Sequence, residues 1–146
     1  MISRYTRPEM GTIWSDQHKY QCWLEVELAA SEALATLGEV PPEAAQNLRS
    51  YAGFDLNRIQ EIEREVRHDV IAFTTAVSET MKQKGAGDSS RWLHYGLTSN
   101  DVVDTSQALQ IKAASAIIVK DLDTLLDSLR KSAHQYKYTF QMERTH

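Results

Sequence analysis

Three short polar clusters in the sequence carry side chains that could bind an anion or move a proton. The first is Arg67-His68-Asp69, which lies between two apolar helical segments. A guanidinium offers a fixed fork of donors to a carboxylate or phosphate, and a histidine can change its charge near neutral pH. The same residues could instead form a helix junction in which Asp69 caps the next helix. The residue types alone leave both interpretations open.

The second cluster runs from His94 to Asp101 and includes Gly96, Thr98 and Ser99. The two hydroxyl residues stand where a long helical pattern begins, and a helix N-terminus favours bound carboxylates through its N–H groups and its dipole. Gly96 would let the backbone approach a ligand closely. Alternatively, Thr98 and Ser99 only cap the helix, and His94, flanked by aromatic and apolar residues, belongs to the core.

The third cluster, Arg144-Thr145-His146, closes the sequence. Any chain terminus can carry such residues, so their types decide little by themselves. The pattern of Tyr138 and Phe140 predicts that a new extended segment begins only a few residues before this cluster. We therefore expect the sequence to be a piece of a longer one.

The elements that must position these clusters are helical. Apolar residues recur at helical spacing in segments that start near Ser15 or Asp16, near Pro41 and Pro42, and near Asp55. Residues 84–90 have the composition of a loop. No alternating β-branched run is bounded by hairpin turns, so the pattern predicts an all-α fold.

The final helical pattern is unusually long. It extends from about Asn100 to about Tyr136 without Gly or Pro, which corresponds to about 55 Å of helix. Around Ile117, Ile118 and Val119 it is apolar on nearly all sides, and such a helix must be buried on all sides. A chain of 146 residues offers little to cover it. We therefore expect further chain or further subunits, in a homo-oligomer.

Composition excludes several classes of function. Sixteen basic against twenty acidic residues give a net charge of -4, which argues against a nucleic-acid-binding surface. No uncharged stretch approaches the roughly 20 residues of a membrane span, so no membrane partner is expected. A single Cys22 fits a reducing compartment, and residues 1–10 contain no signal-peptide pattern. These features predict a soluble, cytoplasmic protein.

Signatures of common cofactors are missing from the sequence. It contains no phosphate-binding glycine loop, no dinucleotide-type glycine motif and no cysteine pair for zinc. The five histidines include no pair at the spacing that suits a metal on one helical face. No cofactor and no metal are therefore expected.

Several longer strings resemble the adenylosuccinate lyase family, which belongs to the fumarase/aspartase superfamily. They occur in the family's order along all 146 residues: Met1-Ile-Ser-Arg-Tyr-Thr-Arg-Pro-Glu-Met10, Trp23-Leu-Glu-Val-Glu27, Arg67-His-Asp-Val70, His94-Tyr-Gly-Leu-Thr-Ser99, Asp101-Val-Val-Asp-Thr105 and Arg144-Thr-His146. One departure is Glu143, which stands where the family usually has glycine.

The resemblance implies a fold and a reaction. Residues 1–97 would form an N-terminal helical domain, and residues 98–146 would begin the central helical bundle, here truncated. The family eliminates fumarate from adenylosuccinate and from succinylaminoimidazole carboxamide ribotide. The catalytic base of the family lies in a part of the protein outside this sequence, and each site is built from three subunits of a homotetramer.

The resemblance also assigns roles to residues. It makes His146 the general acid and makes Thr98 and Ser99 binders of the succinyl end, while His94 is a further candidate. It assigns binding of the anionic nucleotide substrate to five residues, Arg4, Tyr5, Arg67, His68 and Asp69.

Two rival interpretations remain at the level of sequence. The chain could be a helical interaction module whose long apolar helix only binds a partner helix. It could also belong to another lyase of the superfamily, such as an argininosuccinate lyase or a fumarase. The lyase hypothesis predicts that Arg4, Arg67, His68, Thr98 and Ser99 face a shared cleft and avoid tight internal pairing.

Overall fold

A computed structural model describes residues 2–144, and these residues form helices without any β-strand, which confirms the predicted all-α fold. The helices are α1 (Pro8–Ile13), α2 (Asp16–Thr36), α3 (Pro42–Tyr51), α4 (Leu56–Val66), α5 (Asp69–Gln83) and α6 (Ser99–Tyr136). Two short 3₁₀ segments, Ser3–Tyr5 and Gly87–Trp92, precede α1 and follow α5. The second of them occupies part of the stretch that we expected to be a loop.

Local capping signals fix the start of two helices where the sequence predicted. The Ser15 hydroxyl accepts a hydrogen bond from the His18 N–H at 3.2 Å, at the start of α2. The Asp55 carboxylate accepts from the Asn57 N–H at 2.7 Å, at the start of α4. Gly38 follows α2 with a φ of 80°, the left-handed conformation that ends helices and that glycine adopts without steric cost.

An aromatic cluster joins α2 to α5 and forms the centre of the core. Phe73 of α5 is fully buried, and its ring stacks on Tyr20 with centroids 5.6 Å apart. Trp23 and Phe54 contact the same ring edge-on, at 5.6 Å and 5.9 Å. Because aromatic side chains bury large apolar areas, this cluster carries much of the hydrophobic stabilisation of the domain.

The first part of α6 packs against α1 and α2. Its buried residues, Val102, Ser106, Gln110 and Ala114, recur at every fourth position and so lie along one face. The Gln110 side-chain amide donates to the Ile13 carbonyl at 2.7 Å, which ties α6 to the end of α1. The N-terminus of α6 is therefore held firmly by the domain.

The second part of α6 is uncovered within the described residues. From Ile118 onward every residue of this helix is exposed, and six large apolar side chains each have about half of their surface in contact with solvent. We call this set the apolar face of α6: Ile118, Val119, Leu122, Leu125, Leu126 and Leu129. Among residues 2–144, no helix has the length and apolar content that crossing a membrane requires.

Candidate active site

Glu27 and His94 form a buried pair beside the start of α6. The Glu27 side chain, on α2, has no solvent exposure. One carboxylate oxygen accepts from the His94 backbone N–H at 2.8 Å, and the other lies 2.6 Å from His94 Nδ1. Burial raises the pKa of Glu27 above its ordinary value, and the interactions with His94 oppose that rise. The charge of this carboxylate therefore depends on His94.

His94 itself adopts a left-handed backbone conformation, with a φ of 62°. This conformation costs a non-glycine residue about 1–2 kcal/mol, so surrounding contacts must hold it. The two bonds to Glu27 supply that hold. A turn follows, in which the Leu97 N–H reaches the His94 carbonyl at 3.4 Å and Gly96 has a φ of 73°. The turn ends at Leu97, so it determines where the next residue, Thr98, lies.

Thr98 and Ser99 form the N-terminus of α6, as the sequence predicted. Thr98 is the N-cap, and the Asp101 carboxylate accepts from the Thr98 N–H at 2.8 Å. Capping, one of the two interpretations, is therefore present at Thr98. Ser99 is the first helical residue and is partly exposed. Its position beside the N–H groups of the first turn suits a bound carboxylate.

The corner between α4 and α5 carries Arg67, His68 and Asp69, all exposed. His68 caps α5, because its Nδ1 accepts from the Ile71 N–H at 3.3 Å. The helix junction, one of the two interpretations of this cluster, is present, but its capping residue is His68 and not Asp69. Arg67 has a φ of 51° and turns the chain one residue earlier, which makes His68 the extended residue before the helix. Asp69 then becomes the first residue of α5.

The capping bond at His68 also assigns its ring proton. An Nδ1 that accepts a hydrogen bond carries no proton, so the neutral ring holds its proton on Nε2. Nε2–H is then a donor, and His68 is exposed. This arrangement suits a phosphate or carboxylate ligand, as the sequence interpretation of this cluster requires.

The remaining candidates lie near the two ends of the chain. Arg4 and Tyr5 are exposed residues of the first 3₁₀ segment, with the Arg4 guanidinium 4.8 Å above the ring centroid of Tyr5. His146, the expected general acid, lies outside the described residues.

Within one chain, the candidates occupy three separate places, so one chain alone does not bring them into the shared cleft that the lyase hypothesis predicted. His94 lines a cleft of about 390 Å³ together with Thr74, Ser78 and Lys82 of α5. Arg67 lines another of about 580 Å³, together with residues of α4. The two clefts share no lining residue. In the part of the chain that the structure describes, no hydrogen bond or ion pair connects the 4–5, 67–69 and 94–99 groups.

Sequence reasoning did not single out Glu27. A signal was available: buried residues of α2 recur at helical spacing, and the carboxylate falls on that buried stripe. A charged residue at a core position must be paired. The sequence pattern could not identify the partner, because His94 is 67 positions further along the chain. Among residues 2–144, no three His, Cys, Asp or Glu side chains are placed to hold a metal ion.

Comparison with known proteins supports the resemblance that the motifs predicted. Adenylosuccinate lyases of Bacillus subtilis, Streptococcus mutans and Staphylococcus saprophyticus are 51%, 53% and 52% identical to the chain over all 146 residues. The chain spans 33% of the length of each of these relatives. The similarity to adenylosuccinate lyase is thus confirmed for a segment about one third as long.

Solved structures share the fold. A fumarate lyase from a Mesorhizobium species matches 94% of this chain with a TM-score of 0.82 and 27% identity, over 32% of its own length. A 3-carboxy-cis,cis-muconate lactonizing enzyme from Pseudomonas putida matches 90% with a TM-score of 0.78 and 28% identity, over 30% of its length.

A third structure, β-carboxy-cis,cis-muconate cycloisomerase from Acinetobacter calcoaceticus, shows the fold alone. It matches 98% of this chain with a TM-score of 0.86 and 24% identity, over 34% of its length. These neighbours confirm the predicted fold of the fumarase/aspartase superfamily. A family model described as "Lyase" also matches residues 3–146. The chain therefore belongs to this lyase family.

Proposed function

We propose that the chain supplies the first third of an adenylosuccinate lyase. That enzyme releases fumarate from adenylosuccinate to give AMP, and from succinylaminoimidazole carboxamide ribotide to give the carboxamide ribotide, in purine nucleotide biosynthesis. The observation that carries the proposal is the 51–53% identity to three adenylosuccinate lyases over the whole chain. The fumarate lyase, the cycloisomerase and the lactonizing enzyme with similar structures are 24–28% identical to it.

The elimination defines what the site must supply. A base removes a proton next to a carboxylate, the carbon–nitrogen bond breaks, and an acid protonates the departing nitrogen. One phosphate and two carboxylates need cationic or N–H partners. We assign the succinyl end to Thr98 and Ser99 and the general acid to His146. We assign nucleotide binding to the five residues that the resemblance implies, which are Arg4, Tyr5, Arg67, His68 and Asp69.

The proposal extends to domains and assembly. Residues 1–97 would be the N-terminal domain, and α6 would open the central bundle of a cytoplasmic homotetramer. Two observations support this assembly. The apolar face of α6 needs a cover, and the three groups of candidate residues lie apart in one chain, as a site shared between three subunits would require.

Self-association follows from the apolar face of α6. Its exposure in water costs about 25 cal/mol per Å² of apolar surface, which favours burial between copies. We expect the purified chain to form oligomers in light scattering, and Leu122→Glu with Leu129→Glu to dissociate them. Lys131→Glu makes the same change in net charge at an exposed position of the same helix and should not. A monomeric wild-type chain would contradict this expectation.

The function is tested in a hybrid protein, in which this chain replaces the matching first third of the Bacillus subtilis adenylosuccinate lyase. We expect the hybrid to release fumarate from adenylosuccinate. Ser99→Ala should raise KM about 5- to 100-fold, because a charge-assisted hydrogen bond to the succinyl carboxylate is lost. Ser106→Ala, two turns further along α6, is the matched control. Equal kinetics in the Ser99 and Ser106 variants would refute the carboxylate assignment.

A further inference from the structure

The pair formed by Glu27 and His94 carries two costs that the fold alone does not require. A carboxylate without solvent exposure loses its hydration, and a histidine with a φ of 62° adopts a strained backbone. An apolar residue at position 27 would avoid the first cost. Strained backbone and buried ionisable groups that occur together are concentrated at functional sites.

The geometry determines which atoms of His94 are engaged. A backbone N–H can only donate, so the oxygen of Glu27 that lies 2.8 Å from it must be an acceptor. The second oxygen lies 2.6 Å from Nδ1, and an ionised carboxylate accepts there only if Nδ1 carries a proton. The carboxylate thus fixes both the backbone and the ring of one residue.

The opposite ring nitrogen faces away from Glu27. Because the two nitrogens of an imidazole point in divergent directions, Nε2 is directed away from the carboxylate, and His94 lines the cleft beside α5. With Glu27 ionised, the tautomer is the reverse of that at His68, where Nδ1 accepts and Nε2 holds the proton. His94 can therefore accept a hydrogen bond on Nε2.

We propose that Glu27 is a positioning residue of the lyase site: it holds the proton of His94 on Nδ1, presents the unprotonated Nε2 to a donor group of the substrate, and anchors the turn that places Thr98 and Ser99. This inference rests on the proposed function. The connection to Thr98 runs through the turn from His94 to Leu97, whose first residue is the one that Glu27 holds. One buried side chain thereby orients two parts of the candidate site.

Glu27→Gln separates positioning from packing. The glutamine has nearly the same volume, but its oxygen must still accept from the His94 N–H. Its amide group then faces Nδ1 with a donor, so Nδ1 must become the acceptor and the ring proton must move to Nε2. Ser31→Ala is the matched control. Ser31 lies one turn further along α2, is also buried, and its hydroxyl reaches the Trp92 carbonyl at 3.4 Å.

The tautomer is read by NMR of the 146-residue chain labelled with nitrogen-15 at histidine, with His94→Asn identifying the His94 signals. We expect a proton on Nδ1 of His94 in the wild-type chain and in Ser31→Ala, and on Nε2 alone in Glu27→Gln. An unprotonated Nδ1 in the wild type, or an unchanged tautomer in Glu27→Gln, would overturn the proposal. If Glu27→Gln does not fold, the wild-type spectrum decides the matter by itself.

Kinetics of the hybrid protein test the consequence for substrate. Glu27→Gln should lower kcat/KM about 10- to 100-fold, because Nε2 then carries the ring proton and can no longer accept a hydrogen bond from the substrate. Ser31→Ala should leave it near the wild-type value. A wild-type hybrid without activity would count against the proposed function, whereas an active hybrid with unaltered kinetics in Glu27→Gln would refute the positioning role.

Discussion

Replacing Phe73 by alanine is expected to lower the free energy of unfolding by about 3–5 kcal/mol, the range for a large aromatic side chain removed from a packed core. The Phe73 side chain is fully buried, and its ring contacts those of Tyr20, Trp23 and Phe54. Its loss would leave a cavity where α2 and α5 meet. Because whole domains are stable by only about 5–15 kcal/mol, this loss is a large share of the total free energy of unfolding.

The control for this variant lies on the same helix. Ile71 is 49% exposed, so Ile71→Ala should cost less than about 1 kcal/mol. Both variants are compared by urea unfolding at one protein concentration, since self-association would couple unfolding to dissociation. An equal loss of stability in the two variants would show that the aromatic cluster is not the centre of the core.

The local parts of the fold could be predicted from the sequence because their signals are local. Ser15 and Asp55 cap helices with their own side chains. The absence of Gly and Pro after Thr98 predicts the long α6, and its polar N-terminal residues predict where it begins. For the same reason, the residue pattern alone is enough to place Thr98 and Ser99 at a helix N-terminus.

Other features of the candidate site depend on contacts or torsions that a sequence pattern does not encode. The pairing of Glu27 with His94 joins positions that are distant in the chain and become neighbours only when α2 packs beside the start of α6. The cap at His68, rather than at Asp69, follows from one left-handed residue, Arg67. An arginine in the sequence does not predict a positive φ, since that torsion is expected first at glycine or asparagine.

We expect the isolated chain to fold and to bind nucleotide weakly, but to be inactive as a lyase. On the proposed function the catalytic base lies outside this sequence, and assistance by a general base contributes about 10²–10⁴-fold. The groups at 4–5, 67–69 and 94–99 also lie apart in one chain, and imprecise placement of reacting groups costs on the order of 100-fold more. Together these losses predict a rate at least about 10⁴-fold below that of a complete lyase.

We propose that this chain contributes part of an adenylosuccinate lyase site and that the rest of the protein completes the site. This proposal is tested by fumarate release from adenylosuccinate, measured side by side for the isolated chain and the hybrid protein at equal concentration. We expect sustained release by the hybrid and none above the uncatalysed rate by the isolated chain. Sustained release by the isolated chain, or a correctly assembled hybrid that releases none, would contradict it.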